Sequence, residues 1–148
     1  MTLDGAFRVA LPVAEAFRLF TARGEREWVD GWEPVFPEPV DDDAAAGTVF
    51  RTDHGGQDVT WVVVDRDGDR RIRYARVAAG RDAGTVEVRL APAGPHTEVA
   101  VTYRVTALTP SGVEWFRDFT AGYPDMMRSW EAAIDRVVAA RGRAAPLS

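Results

Sequence analysis

One amphipathic segment constrains this chain more than any other. It runs from about Ser111 to about Arg141 and follows a long stretch that alternates, up to Leu108, as strands do. Its large side chains recur at helical spacing: Trp115, Phe116, Phe119, Tyr123, Met126, Met127, Trp130, Ile134, Val137 and Val138. A helix with so broad an apolar face must bury it, and the only surface on offer is the sheet that precedes it. The stripe is also wider than packing alone requires. Aromatic and methionine side chains suit adaptable apolar pockets, so the pattern predicts a cavity as well as a contact. Gly122 and Pro124 predict a bend between Ala121 and Asp125, because proline removes a backbone donor and crowds the turn before it.

Upstream, residues Gly5 to Leu11 read as a first strand. Pro12 is suited to open a helix, and VAEAFRLF sets Val13, Ala16, Phe17 and Phe20 on one face, which predicts a helix of about ten residues ended by Gly24. The aromatic segment GEREWVDGW predicts a second short helix over 25–30, with Trp28 and Trp32 on one face, closing one end of the sheet. From Gly47 the period becomes two, with strands at about 47–54, 58–66, 70–78, 83–91 and 96–107. The turns HGGQ, DRDGD, AAGRDAG and PAGP are short enough to require hairpins and an antiparallel meander.

Alternation assigns the faces. Val99, Val101, Tyr103 and Val105 point inward together, as do Val86, Val88 and Leu90. Arg76 shares a face with Ile72 and Tyr74, and His54 with Phe50 and Thr52. The 58–66 strand is apolar on both faces, so Trp61 has no assigned direction.

Composition narrows the chemistry. There is no cysteine, which excludes disulfides and thiolate catalysis, and all 18 cationic residues are arginine, which excludes Schiff-base lysines. A formal charge of −5 without a clustered basic face is unsuited to nucleic acid. No apolar run reaches the ~18–20 residues of a membrane span, and the first residues lack the charge and apolar core of a signal peptide. A cytoplasmic single domain over residues 1–148, ordered over about 4–142, is expected, either monomeric or a homodimer. No metal-ligand spacing and no glycine-rich phosphate loop is present, so no metal or cofactor is expected.

Strand, two short helices, meander and long helix together define an α+β class, a curved sheet of six or seven antiparallel strands wrapped around the terminal helix. FRVALPVAEAFRLFT, GEREWVDGWEPVF, GTVFRT and TEVAVTYRVTALTPSG, the last leading to a helix containing SWEAAI, resemble the START-like superfamily, also called SRPBCC or Bet v 1-like. The chain looks closest to its small bacterial members labelled polyketide cyclase/dehydrase-like or Hsp90-activator-like. The resemblance spans essentially the whole chain and implies the helix-grip fold. It leaves the function open among ligand carriers, cyclases and co-chaperone modules.

The expected site is a mostly apolar cavity with few polar groups. Its expected wall is Trp32, Phe50, Tyr74, Arg76, Tyr103, Phe119, Tyr123 and Met127, around a small apolar ligand. His54, Tyr74 and Arg76 are the candidates for chemistry. His54 is the better placed of the two histidines to act as a base, although HGG reads as a turn. A buried Arg76 needs a partner, either a protein carboxylate or an anionic group on a ligand. Three functions remain open: binding a small hydrophobic or aromatic molecule, a polyketide cyclase or aromatase-type reaction using Tyr, Arg or His, and an Hsp90 co-chaperone-like interaction module.

Overall fold

The computed structural model describes residues 1–144, with side chains described as far as residue 142. Six strands, β1 (Thr2–Val9), β2 (Val49–His54), β3 (Gln57–Asp67), β4 (Arg71–Ala78), β5 (Asp82–Ala93) and β6 (His96–Ala107), form one sheet. Their order is β1-β6-β5-β4-β3-β2, and every pair is antiparallel. Among the described residues there are also two helices, α1 (Val13–Arg18) and α2 (Pro110–Ala144), and a 3-10 turn over Gly24–Glu27. The helix-grip architecture expected from the sequence is the one observed.

Each inward face follows from alternation. Val99, Val101, Tyr103 and Val105 of β6, Val86, Val88 and Leu90 of β5, and Ile72, Tyr74 and Arg76 of β4 are all buried. Val59, Trp61 and Val63 of β3 turn inward, and the register then shifts between Val63 and Asp65, with Val64 exposed. A bulge inserts one unpaired residue and changes the parity after it. Trp61, which its own strand left undecided, lies before the bulge and points inward opposite buried Arg76.

The N-terminal elements differ from expectation in extent. β1 begins at Thr2 because its ladder with β6 pairs Thr2 with Arg104 and runs to Val9 opposite Thr97. Helix α1 is shorter than expected, and the predicted 25–30 helix is a single 3-10 turn. The side chains around them explain why. A helix end leaves carbonyls without partners. Here aromatic donors take those that follow α1: Trp28 Nε1 donates to Leu19 O at 2.7 Å, Tyr74 Oη to Phe20 O at 2.6 Å, and Trp32 Nε1 to Ala22 O at 2.7 Å. Fixing both indoles on this segment takes precedence over a regular second helix.

Helix α2 continues unbroken through Gly122 and Pro124. The expected bend at these residues is not accompanied by any interruption. Thr120 and Pro124 both face outward, so the carbonyl deprived of its donor meets solvent. The helix packs mainly over β1 and β6. At Gly5 a Cβ would lie 2.6 Å from Met127 Cγ and 3.0 Å from Tyr123, so the missing side chain is what admits the helix there. Covering one side of the sheet leaves the inner face of β2, β3 and β4 to be closed by the segment containing Trp28 and Trp32.

Candidate functional site

Between the sheet and α2 lies a hollow of about 370 Å³. Its apolar wall is mostly aromatic. Phe50 and Trp61 stack with centroids 6.0 Å apart and 6° between planes, Trp32 meets both edge-on, and Tyr74 stands edge-on to the stacked pair. Across the hollow, Phe119 packs on Tyr103 at 5.0 Å and stacks on Trp115 at 4.9 Å. Offset and edge-to-face contacts of this kind are the favoured arrangements of aromatic pairs.

Six of the eight residues expected to form the cavity wall do line this hollow: Trp32, Phe50, Tyr74, Arg76, Tyr103 and Phe119. Tyr123 and Met127 do not line it. They sit over β1 at Gly5, and Tyr123 Oη donates to Val101 O at 2.9 Å. Helical spacing placed them on the right face of α2 but could not show which stretch of that face lies flat on the sheet. Met126 and Trp130 reach the hollow instead.

The polar groups form two sets. In the first, Arg76 is buried and donates from Nε to Asp82 Oδ1 at 3.0 Å and from Nη2 to Oδ2 at 3.4 Å. Arg81 donates from Nε to Asp82 Oδ2 at 2.9 Å. Asp82 has no exposure at all. Of the two partners open to Arg76, the structure supplies the protein carboxylate. Both guanidiniums lie against Trp115, at 5.3 Å for Arg76 and 4.1 Å for Arg81, and Arg76 is also 5.3 Å from the Trp61 ring. Trp115 reaches them because α2 starts hard against the β4–β5 turn: a Cβ on Gly112 would sit 1.9 Å from Arg81 O.

His54 ends β2 at the rim of this set, 5.9 Å from Trp32. Trp61 Nε1 donates to Thr52 Oγ1 at 2.9 Å, and Thr52 Oγ1 is 2.7 Å from His54 Nε2. Burial, with Arg76 and Arg81 nearby, holds the imidazole below its usual pKa, while Asp53 opposes them weakly. A neutral ring accepting the Thr52 proton fits that network. His54 therefore faces the hollow as well as the turn.

The second set is Tyr103 and Glu25. Tyr103 is buried, and among the described residues its hydroxyl makes no hydrogen bond to the protein. Burial drives its pKa far above the usual phenol value, with Arg76 opposing. Glu25 lies on the 3-10 turn and lines the same hollow. Its side chain has no hydrogen-bond or ion-pair partner among the described residues, and burial raises its pKa well above the carboxylate range. Tyr74, by contrast, has spent its hydroxyl on Phe20 O, and burial raises its pKa too, which leaves it no proton to transfer.

Sequence reasoning passed over Glu25, Asp82 and Arg81. Glu25 belongs to GEREW, where only the tryptophans stood out, and RDAG reads as a turn. No local signal separates Glu25 from Glu27, two residues on.

No protein-family model and no curated protein matches the chain. Solved structures do. Protein MLL2253 from Mesorhizobium loti superposes with a TM-score of 0.69 at 17% identity, covering 92% of this chain and 98% of that one. CalU16 from Micromonospora echinospora gives 0.56 at 22% identity, covering 93% and 86%. Norcoclaurine synthase from Thalictrum flavum gives 0.63 at 12% identity, covering 93% and 92%. At these identities the likeness is one of fold.

Proposed function

The chain has the helix-grip fold of the START-like superfamily, and from that premise we propose that it binds a small hydrophobic or aromatic molecule in the hollow between sheet and α2. One observation carries this reading: an aromatic-walled hollow of about 370 Å³ into which Tyr103 and Glu25 project without protein partners. Both side chains line the hollow, where a polar group not bonded to the protein is free to bond a ligand. A ligand oxygen or nitrogen would supply the missing bond while its apolar body covers the rings. The volume falls within the range of small-molecule pockets.

The test is native mass spectrometry of protein purified from its host, with a dye titration alongside. A co-purifying small molecule, or saturable Nile red fluorescence, supports the reading. Val86→Phe, which fills the hollow from β5, should abolish dye binding while the protein still folds. Dye binding undiminished by Val86→Phe would place it elsewhere and count against the hollow.

Glu25 also favours a second reading, a cyclase-type enzyme. A carboxyl whose pKa is raised by burial can give a proton to a carbonyl oxygen, with Tyr103 as a second donor. Norcoclaurine synthase is, by its name, a catalyst on this fold. Under this reading Glu25→Gln retains the ligand and loses its conversion. Equal turnover by Glu25→Gln and wild type would exclude it.

A further inference from the structure

Resting on the ligand-binding reading, we infer that the molecule held in the hollow is an amphipathic carboxylate whose charged head sits at Arg76 and Arg81. Two guanidiniums share the single carboxylate of Asp82. Arg76 is buried and the Arg81 side chain is only 17% exposed, so among the described residues this wall carries one cation more than its paired anion compensates. His54 adds none, because its ring stays neutral. Glu25, on the same hollow, makes no ion pair among the described residues, and burial raises its pKa, which disfavours its anion.

The free donors are specific. Asp82 occupies Nε and Nη2 of Arg76 and Nε of Arg81. Among the described residues, Nη1 of Arg76 and both terminal nitrogens of Arg81 bond no protein acceptor. Trp115 lies against both guanidinium groups and Trp61 against that of Arg76, which fixes their planes before any ligand arrives. Oriented guanidinium edges of this kind match the two oxygens of a carboxylate. Behind them the wall is apolar and aromatic, so the body that follows the head is a ring system or an alkyl chain. A multiply charged phosphate head is disfavoured, since a single surplus positive charge would leave it uncompensated.

The experiment uses Nile red as reporter on the full chain at pH 7. Decanoate and 1-naphthoate are compared as displacers with their own methyl esters. Each acid matched to the hollow should displace the dye at a concentration at least about tenfold below that of its ester, because only the acid forms charge-assisted bonds. Decanoate alone would assign an alkyl body, and 1-naphthoate alone an aromatic one. Arg81→Gln should bring acid and ester together, and Arg81→Lys should restore most of the difference. Arg81 is the variant of choice because Arg76→Gln would also strip buried Asp82 of its main partner. Acids and esters displacing equally from wild type, or an acid preference intact in Arg81→Gln, would overturn the carboxylate while leaving apolar binding standing. No dye binding at all would overturn both.

Discussion

Arg76 Nε donates to Asp82 Oδ1 across 3.0 Å inside the protein, with both residues on the inner side of the sheet. The pair joins β4 to the first residue of β5 across their hairpin. It also sets the polarity of one end of the hollow, because Arg81 draws on the same carboxylate.

Replacing Asp82 by Asn keeps the volume and removes the charge. Two guanidiniums would then lie close together without a carboxylate. Breaking a buried pair from one side typically costs about 3–5 kcal/mol. Urea denaturation of Asp82→Asn should show a loss of that order, and a midpoint equal to wild type would contradict the buried pairing.

Glu25 gives stability a pH dependence opposite to that of a salt-bridged acid. Its folded pKa is raised by burial. Between the unfolded value near 4.5 and the folded one, the unfolded chain has lost a proton that the folded chain keeps. Stability therefore falls as pH rises through that window, by about 1.4 kcal/mol per pH unit, and levels off above the folded pKa. Glu25→Gln should match wild type near pH 4 and melt higher at pH 7. Melting curves for the two that stay parallel across this range would show that the carboxyl is solvated.

Gly112 lets the start of α2 touch Arg81 O. Gly112→Ala puts a methyl group into backbone, which cannot swing aside as a side chain can. A destabilisation of about 1–3 kcal/mol is expected from such overpacking. Nile red affinity should fall too, since Trp115 would be carried away from Arg76 and Arg81. Unchanged thermal stability would mean that the helix start is not held against the β4–β5 turn.

The two tyrosines that face each other at 5.7 Å should behave differently. Tyr123→Phe loses a bond to Val101 O, and a loss of about 1 kcal/mol in stability with dye affinity unaltered is expected. Tyr103→Phe removes a hydroxyl with no protein partner. It should leave stability equal or slightly higher and change the affinity for ligands that carry an acceptor. Calorimetry and dye titration on the two variants separate these outcomes.

Much of this architecture is readable from residue pattern. Period two in 70–78, 83–91 and 96–107 places Tyr74, Arg76, Val86 and Tyr103 on the inner face without reference to anything distant, since pleating alone makes neighbours alternate. The stripe from Trp115 to Val138 requires a long helix against that face. Where a segment is apolar on both sides the same logic is silent, and Trp61 took its direction from the β3–β4 register, which sets it opposite Arg76.

The sequence by itself determined the fold class, the inward faces of three strands and the aromatic character of whatever lies under α2, because these follow from local period and from the need to bury apolar surface. The tertiary structure alone decided which part of the helix packs flat and which part spans a hollow, so Tyr123 and Met127 went to the core and Phe119 and Met126 to the cavity. It alone decided that Arg76 meets Asp82, and that an ordinary-looking Glu25 lines the hollow with no side-chain partner among the described residues. Burial and charge compensation are properties of surroundings assembled from distant segments, and no local pattern carries them.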